Sequence, residues 1–270
     1  MVDKIAIIGA GMMGGAITKS LLKNGYKGSI TVTDCASERL NEMQACGAFI
    51  GKENRKTAAD ADIIFVCVKP GDVENLLKEI SKETKGKIII SIAATLPLDF
   101  LKKTIKDAKF VRVMPNIAIL VQEAYTAFCC TENVSATEKA KVVTLLNMMG
   151  KSEEVDEKYM DAITGLSGSG PGYLSVIAEA MIYGGLKVGL PRNIALNASA
   201  QTMLGTAKLI LDLQENPAKI KDMVTTPGGT TIDAIYALEK GQVRQALIQA
   251  IEDATLKSQK IREKICKENP

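Results

Sequence analysis

The 270-residue sequence predicts an α/β protein with a doubly wound parallel sheet in its first half and an all-helical domain after it. Two observations predict the sheet: short apolar runs alternate with helical patterns, and these runs lack the polar alternation of half-exposed strands. A third predicts the helical domain, because strand-like runs disappear after about residue 156. We therefore expect domains at residues 1–156 and 157–270.

The elements of the first half follow one another in βα order. Strands are expected at 4–8, 29–33, 63–68, 87–92, 110–114 and 125–130, and helices at 12–23, 37–45, 72–83, 97–105 and 135–149. Right-handed crossovers between parallel strands would place these helices on both faces of the sheet.

The second half contains four expected helices, at 170–188, 192–213, 230–239 and 243–264. Residues 195–213 carry little charge around most of the helix, so this helix must be buried in a bundle or against another subunit. We expect a homodimer joined through this domain.

The composition excludes several classes of function. The 34 Lys and Arg against 31 Asp and Glu are spread along the chain, which argues against nucleic acid or an anionic membrane as partner. The absence of histidine removes histidine-based triads and histidine metal sites, and we expect no metal. Six cysteines without a CxxC pair, no leader and no long apolar stretch favour a cytoplasmic protein.

A glycine-rich turn joins the first expected strand to the first helix. Gly9, Gly11 and Gly14 have the G-x-G-x-x-G spacing, which permits a tight turn, close approach of a pyrophosphate and close packing of the helix on the strand. The helix N-terminus adds free N–H groups and a positive dipole end. In this context the motif predicts a Rossmann-like dinucleotide-binding domain, the alternative being a turn that only packs tightly.

Asp34 ends the second expected strand, 20 residues after Gly14. A carboxylate there would accept hydrogen bonds from the ribose hydroxyls and repel a 2′-phosphate, which favours NADH over NADPH. Two alternatives stay open: Asp34 caps the following helix, or it points away while Ser37 and Arg39 bind a phosphate.

Further candidates lie after the next strands, at the edge where ligands bind in open α/β sheets. Lys69 and Pro70 follow the third expected strand, and Ala93 and Ala94 follow the fourth. Lys69 would donate to a ribose hydroxyl or be solvated, and Pro70 would simply start a helix. Arg112, in the fifth strand, would pair with a carboxylate or contact substrate, the former being favoured.

Two segments rich in glycine and hydroxyl groups precede helices in the second half, at 165–171 and 225–231. Backbone N–H groups at a helix N-terminus, together with Ser or Thr hydroxyls, bind anions such as a carboxylate. Ordinary capping is the alternative, but it needs only one hydroxyl per helix.

Five segments together resemble pyrroline-5-carboxylate reductase: 9–14, 68–70, 112–116, 165–171 and 226–231. The likeness spans residues 3 to about 262, and its last two segments are the specific ones. It implies reduction of 1-pyrroline-5-carboxylate to L-proline, the last step of proline biosynthesis, with hydride from NADPH or NADH. It also implies a Rossmann-like domain joined to a helical dimerisation domain, in dimers that assemble further into a decamer of five dimers.

The motif and the resemblance assign residues to two sets. The expected coenzyme-binding residues are Ile8, Gly9, Ala10, Gly11, Met12, Met13, Gly14, Asp34, Asn54, Val68, Lys69, Pro70, Ala93 and Ala94. The residues that the resemblance assigns to the substrate are Glu157, Thr226, Gly228, Gly229, Thr230 and Thr231, with Thr231 as the catalytic residue beside the ring nitrogen. Asn116 matches the family, but Ile117 replaces the threonine that usually follows it.

Two other classes of function compete with this hypothesis. Reductases of β-hydroxy acids share the sequence at 168–170 but place a catalytic lysine where this chain has Leu174, and an apolar side chain cannot protonate a ketone oxygen. A nucleotide-binding scaffold without turnover would have no physical need for the hydroxyls of Thr230 and Thr231. The imine-reduction hypothesis requires those threonines to face the coenzyme edge beyond Gly11 and Lys69, with or without a neighbouring subunit.

Overall fold

The computed structural model describes residues 3–268, and the chain forms two compact units. One unit runs to Ser169 and includes the chain again from Glu252, and the other is Gly170–Ile251. The first unit holds an eight-stranded sheet, and the second is helical.

The sheet has the strand order β3-β2-β1-β4-β5-β6-β7-β8. Its strands are β1 (Ile5–Ile8), β2 (Ile30–Thr33), β3 (Phe49–Ile50), β4 (Ile63–Val66), β5 (Ile88–Ser91), β6 (Lys109–Met114), β7 (Ala124–Cys130) and β8 (Gly150–Glu154). Every residue of β1, β4 and β5 is buried, as the lack of alternation in their sequences predicts. The doubly wound sheet of the N-terminal half is thus confirmed.

The expectation of an all-parallel sheet is wrong at one end. β7 runs antiparallel to β6, and β8 runs parallel to β7. Nine residues separate Met114 from Ala124, fewer than the dozen or so that a crossover between parallel strands requires. The chain therefore reverses through a short 3₁₀ helix, Ile117–Val121, and returns beside β6.

Helices cover both faces of the sheet and bury two apolar clusters, one on each side. They are α1 (Met12–Lys23), α2 (Ser37–Ala45), α3 (Asn54–Asp60), α4 (Pro70–Ile80), α5 (Leu98–Thr104) and α6 (Ala136–Asn147). Ser135 and Glu138 form a capping box that starts α6, and Pro70 occupies the first turn of α4. The sequence did not predict β3 or α3, which are too short to show a period.

Apart from a bend at Ser169, the residues from 160 to 171 are helical, which corrects the expectation of a loop at 165–171. Helix α7 (Met160–Ile163) continues into a π-helical turn, Thr164–Gly168, and the Ser169 amide donates to the Thr164 carbonyl at 2.9 Å. The Ser169 amide is therefore used within the helix rather than offered to an anion.

The second unit contains α8 (Gly170–Lys187), α9 (Arg192–Leu213), α10 (Pro217–Met223), α11 (Thr230–Lys240) and the beginning of α12 (Val243–Glu268). Only α10 was not expected from the sequence. An added Cβ on Gly185 would lie 2.9 Å from the Ala195 side chain, so α8 and α9 approach closely. Large apolar side chains on these two helices are exposed in the single chain: Leu174, Val176, Met181, Tyr183, Leu196, Leu204, Leu209, Leu211 and Leu213.

An apolar surface of this kind is typical of helices that pack against a partner. None of the described helices is both long and apolar enough to span a bilayer.

Candidate active site

The carboxyl ends of β2, β1, β4 and β5 lie in register along one edge of the sheet, and β6 continues two residues beyond the paired Arg112. Thr33 of β2 pairs with Ile8 of β1, which pairs with Val66 of β4, then Ser91 of β5 and Arg112 of β6. The order of the strands reverses between β1 and β4, which is the point where open α/β sheets bind ligands. The predicted coenzyme residues follow these strand ends directly, so the register brings them to the same edge.

The glycines of the β1–α1 turn fill three different structural roles. Gly9 has φ +101°, and an added Cβ there would lie 2.6 Å from the Cys67 carbonyl oxygen. A Cβ on Gly14 would lie 1.9 Å from the Gly9 carbonyl oxygen, so α1 packs directly on the turn. On Gly11 the nearest atom, of Arg39, is 3.9 Å away. Gly11 thus leaves an open cradle against the backbone, which fits a pyrophosphate.

Helix α1 points its N-terminus at this cradle. Gly11 is its N-cap, no side chain caps it among the described residues, and its first turn contains no acidic residue. The positive end of the helix dipole and the free amides are therefore available to an anion. Ala10, Gly11 and Met12 line a cavity of about 260 Å³ beside it.

Asp34 lies beside the turn, with its side chain 5% exposed. Its carboxylate accepts the Ala10 amide at 2.6 Å and the Ala36 amide at 2.8 Å, while Arg39 Nη1 lies 3.6 Å from Oδ2. Burial acts to raise the pKa of this carboxyl, but the two amides and the Arg39 guanidinium outweigh it, and the pKa lies below its ordinary 3.8. Asp34 is therefore a carboxylate that points to the coenzyme turn and not away from it.

A cavity of about 620 Å³ opens beyond Asp34. Asn54, which begins α3, lies in its wall: Asn54 Oδ1 accepts the Thr33 hydroxyl at 2.7 Å, and Asn54 Nδ2 donates to Glu79 at 3.2 Å. Ile8, Gly9 and Val68 also line this cavity, so it brings together five of the predicted coenzyme residues. Sequence reasoning missed Thr33, Cys35, Lys52, Arg55, Asp72, Asn75 and Glu79, which share the cavity.

The missed residues carry no motif that singles them out. Lys52 lies between β3 and α3, and Arg55 lies in the first turn of α3. Both elements are too short to be recognised from the periodicity of the sequence. Thr33 is a buried β-strand residue, and its polar role depends on the neighbouring Asn54 side chain.

The next strand ends place the other predicted contacts. Lys69 is exposed and is the N-cap residue of α4, which starts at Pro70, two residues before the expected helix 72–83. Ala93 is buried after β5, and the carbonyl of Ala94 accepts a hydrogen bond from the Arg112 guanidinium. Arg112 also pairs with Glu157 at 2.8 Å, which confirms the expectation that it pairs with a carboxylate.

The segments at 112–116 and 165–171, both singled out in the sequence, contact each other. Asn116 Nδ2 donates to the Ser167 hydroxyl at 3.1 Å and to the Ser167 carbonyl at 3.3 Å. A Cβ on Gly168 would lie 2.3 Å from the Met114 terminal methyl, so the π-helical turn approaches β6 closely. These residues have a packing role that accounts for the glycine at 168.

Within the second unit, residues 226–229 form the turn that precedes α11. Gly228 has φ +69°, and the Gly229 amide donates to the Thr226 carbonyl at 3.0 Å. No side chain caps α11 among the described residues, so capping does not use the hydroxyls of Thr226, Thr230 or Thr231. Thr226 and Thr230 are exposed and Thr231 is half-buried, which leaves this turn and the helix end able to bind an anion.

Burial disfavours the thiolate form of three cysteines: Cys67, Cys129 and Cys130. Burial raises the pKa of the Cys129 thiol to about 12 and that of Cys130 to about 11, and it raises the pKa of Cys67 further. The thiolate form of each is scarce near neutral pH.

The sheet edge, the open glycine cradle and the uncapped helix end define a Rossmann-type, dinucleotide-dependent oxidoreductase. The model of the NADP oxidoreductase, coenzyme F420-dependent family matches residues 4–95, and that of pyrroline-5-carboxylate reductase dimerisation matches residues 157–261. A pyrroline-5-carboxylate reductase of Methanosarcina acetivorans is 36% identical over 97% of this chain and 99% of its own length, and one of Arabidopsis thaliana is 34% identical over 96% and 95%. The chain belongs to the pyrroline-5-carboxylate reductase family.

Solved structures show the same relationship. The Plasmodium falciparum pyrroline carboxylate reductase with NADP bound superposes with a TM-score of 0.88 at 30% identity, covering 96% of this chain and 98% of the other. The Coxiella burnetii pyrroline-5-carboxylate reductase has a TM-score of 0.89 at 29% identity, covering 97% and 99%. The combination of a Rossmann-like domain with a domain of the pyrroline-5-carboxylate reductase dimerisation family is therefore confirmed.

Proposed function

We propose that this protein reduces the C=N bond of 1-pyrroline-5-carboxylate to give L-proline, with the substrate held by the turn that begins α11. The observation that carries the proposal is that a chain of this family has both an open glycine cradle at Gly11 and a threonine-rich N-terminus of α11 whose hydroxyls do not cap the helix. When bound, NAD(P)H supplies the hydride.

The substrate is a carboxylate attached to a cyclic imine, and the turn suits its carboxylate. The amides of Gly228, Gly229 and Thr230 and the Thr226 hydroxyl are the proposed donors, helped by the positive end of the α11 dipole. Glu157 is a further proposed contact, through the carboxylate oxygen that Arg112 does not use.

The chemistry requires a proton at the imine nitrogen, since a protonated imine accepts hydride far better than a neutral one. The chain has no histidine, and the pKa of a threonine hydroxyl is too high for it to act as the acid. We assign Thr231 to orient the ring nitrogen, either by passing a proton from water or by hydrogen bonding to an iminium formed in solution. Holding both reactants in place supplies the rest of the rate enhancement.

Asp34 supports NADH as the preferred coenzyme. Its carboxylate is ionised, faces the glycine turn and would repel a 2′-phosphate. Arg39 lies close enough to soften that repulsion, so NADPH is the weaker coenzyme rather than an excluded one.

We further propose a cytoplasmic enzyme in which residues 1–156 bind the coenzyme and residues 157–270 form the dimer and bind substrate. The exposed apolar side chains of α8 and α9 support the dimer, and a decamer of five dimers is the proposed assembly. Light scattering of the purified protein measures its molar mass and so distinguishes the dimer from the decamer.

The test is a spectrophotometric one. Purified protein mixed with 1-pyrroline-5-carboxylate and NADH or NADPH should consume the reduced coenzyme with formation of an equal amount of proline, faster with NADH at equal subsaturating concentration. Absence of turnover with both coenzymes, in protein shown to be folded, refutes the proposal. A β-hydroxy acid with NAD⁺ is the control, and it should give no reduction of NAD⁺.

A further inference from the structure

We infer that Arg112 and Glu157 are positioning residues that hold the β5–α5 connection, residues 92–97, in the shape that the coenzyme needs. The inference rests on the proposed function, in which Ala93 and Ala94 of this connection contact the coenzyme. No motif in the sequence predicts this role.

The pair holds the connection at two points. Arg112 is 1% exposed, and its Nη2 donates to the Ala94 carbonyl while its Nη1 donates to Glu157 Oε1 at 2.8 Å. The same oxygen of Glu157 accepts the Leu98 amide at 2.6 Å. A carbonyl near the middle of the connection and the first amide of α5 are thus linked through one ion pair.

Other support for this connection is weaker. The Ile92 amide donates to the Val66 carbonyl at 3.3 Å, the Ala93 amide to the Ser91 hydroxyl at 3.3 Å, and the Leu96 amide to the Ala93 carbonyl at 3.1 Å. Hydrogen bonds that involve a charged partner are shorter and about twice as strong as these neutral ones. The Arg112–Glu157 pair therefore dominates the geometry of the connection.

A gain in folding stability does not by itself explain why this ion pair is buried. Desolvation offsets most of the attraction, and packed apolar side chains of similar volume are often at least as stable. What apolar side chains cannot do is bind the Ala94 carbonyl and the Leu98 amide. The arginine fork and the carboxylate oxygen supply that geometry, so the pair is best explained by the position that it imposes on the backbone.

That position lies on the coenzyme edge. Arg112 pairs in register with Ser91, and Ser91 with Val66, so Ala93 and Ala94 extend past the strand ends beside the β4–α4 connection. Loss of the pair should accordingly weaken coenzyme binding more than it slows the chemistry on bound reactants.

The experiment compares the dissociation constant of NADH, measured by its fluorescence, with steady-state kinetics for Arg112→Lys and Glu157→Ala. Lysine keeps the charge of Arg112 but lacks the fork that binds Glu157 and Ala94 together. Lys109→Met is the matched control. Lys109 lies on β6, as Arg112 does, and the substitution breaks its 2.6 Å ion pair with Glu138 of α6, away from the connection.

We expect both pair variants to raise the NADH dissociation constant by about tenfold. Arg112→Lys should also raise the KM for NADH by about tenfold and keep kcat at saturating NADH within about threefold of wild type. Glu157→Ala also removes a proposed substrate contact, so its test is the NADH dissociation constant alone. Glu157→Gln retains an oxygen for the Leu98 amide and for Arg112, and it should restore NADH binding to near the wild-type value. The Lys109→Met control should lose thermal stability and keep the wild-type dissociation constant.

Two results would overturn the inference. One is a wild-type NADH dissociation constant in folded Arg112→Lys and Glu157→Ala. The other needs no variant: in the free wild-type protein the Leu98 amide should exchange hydrogen as slowly as neighbouring strand amides, and fast exchange would contradict its bond to Glu157. Wild-type protein that binds no NADH refutes the proposed function as well, whereas unaffected variants of an active wild type refute this inference alone.

Discussion

Gly11 and Gly14 give the sharpest test of the coenzyme cradle, because the structure predicts opposite effects for the same added methyl group. At Gly11 the backbone has φ −64° and ψ −167°, which alanine adopts freely, and the nearest atom to the new Cβ is 3.9 Å away. The Gly11→Ala variant should therefore fold about as stably as wild type, because a gain of up to about 1 kcal/mol from the stiffer unfolded chain offsets the poorer N-cap of α1.

The same methyl group would occupy the space that the pyrophosphate needs. Inserting a methyl into a filled site costs about 1–3 kcal/mol. At 1.4 kcal/mol for each tenfold change, NADH should bind about 5- to 150-fold more weakly to Gly11→Ala. Fluorescence titration with NADH measures this directly, without dependence on turnover.

In Gly14→Ala the new Cβ would lie 1.9 Å from the Gly9 carbonyl oxygen, so α1 must move away from the turn by more than about 1 Å. We expect a loss of about 3 kcal/mol or more in the free energy of unfolding. That corresponds to a melting temperature lower by about 6–12 °C, compared at fixed protein concentration. Wild-type NADH affinity in Gly11→Ala, or equal destabilisation by both substitutions, would refute the geometry on which the cradle is argued.

Three further predictions concern other parts of the site. Asp34→Asn should raise the affinity for NADP⁺ relative to NAD⁺ several-fold in calorimetric titrations, since it removes the charge opposite the 2′-phosphate. The pKa of Asp34 in the folded protein lies below 3.8, so the stability that its ionised form adds is present above that pH and is lost as the pH falls through the folded pKa. The stability difference between Asp34→Asn and wild type should therefore shrink below about pH 4. Thr231→Ala should lower kcat by about tenfold or more while the NADH dissociation constant stays near wild type, and an unchanged kcat would remove Thr231 from the mechanism. NADH should protect Cys35, which lines the cavity beside Asp34, from iodoacetamide and leave the exposed Cys46 reactive, as measured by mass spectrometry. Equal labelling of both thiols with and without NADH would contradict the placement of the adenosine end of the coenzyme in that cavity.

Elements with strong periodicity could be predicted to within a residue or two. The expected helices 12–23, 37–45 and 192–213 match α1, α2 and α9, because their apolar spacing gives their extent and a flanking glycine or proline marks at least one end of each. The prediction failed where an element is short, as with β3, and where direction depends on the length of a connection, as with β7. The π-helical turn Thr164–Gly168 carries glycines that are typical of a loop, and its packing against Met114 holds it helical.

The candidate site divides in the same way. The amino-acid sequence by itself determined the dinucleotide-binding half, because the glycine spacing and the acidic residue after β2 act through local backbone geometry that the neighbouring residues define. Only the tertiary structure decided that Asp34 binds the Ala10 amide and that Arg112 joins Ala94 to Glu157. These partners are separated by 24, 18 and 45 residues, and no local pattern encodes such contacts, since they arise from strand order, register and burial once the chain has folded.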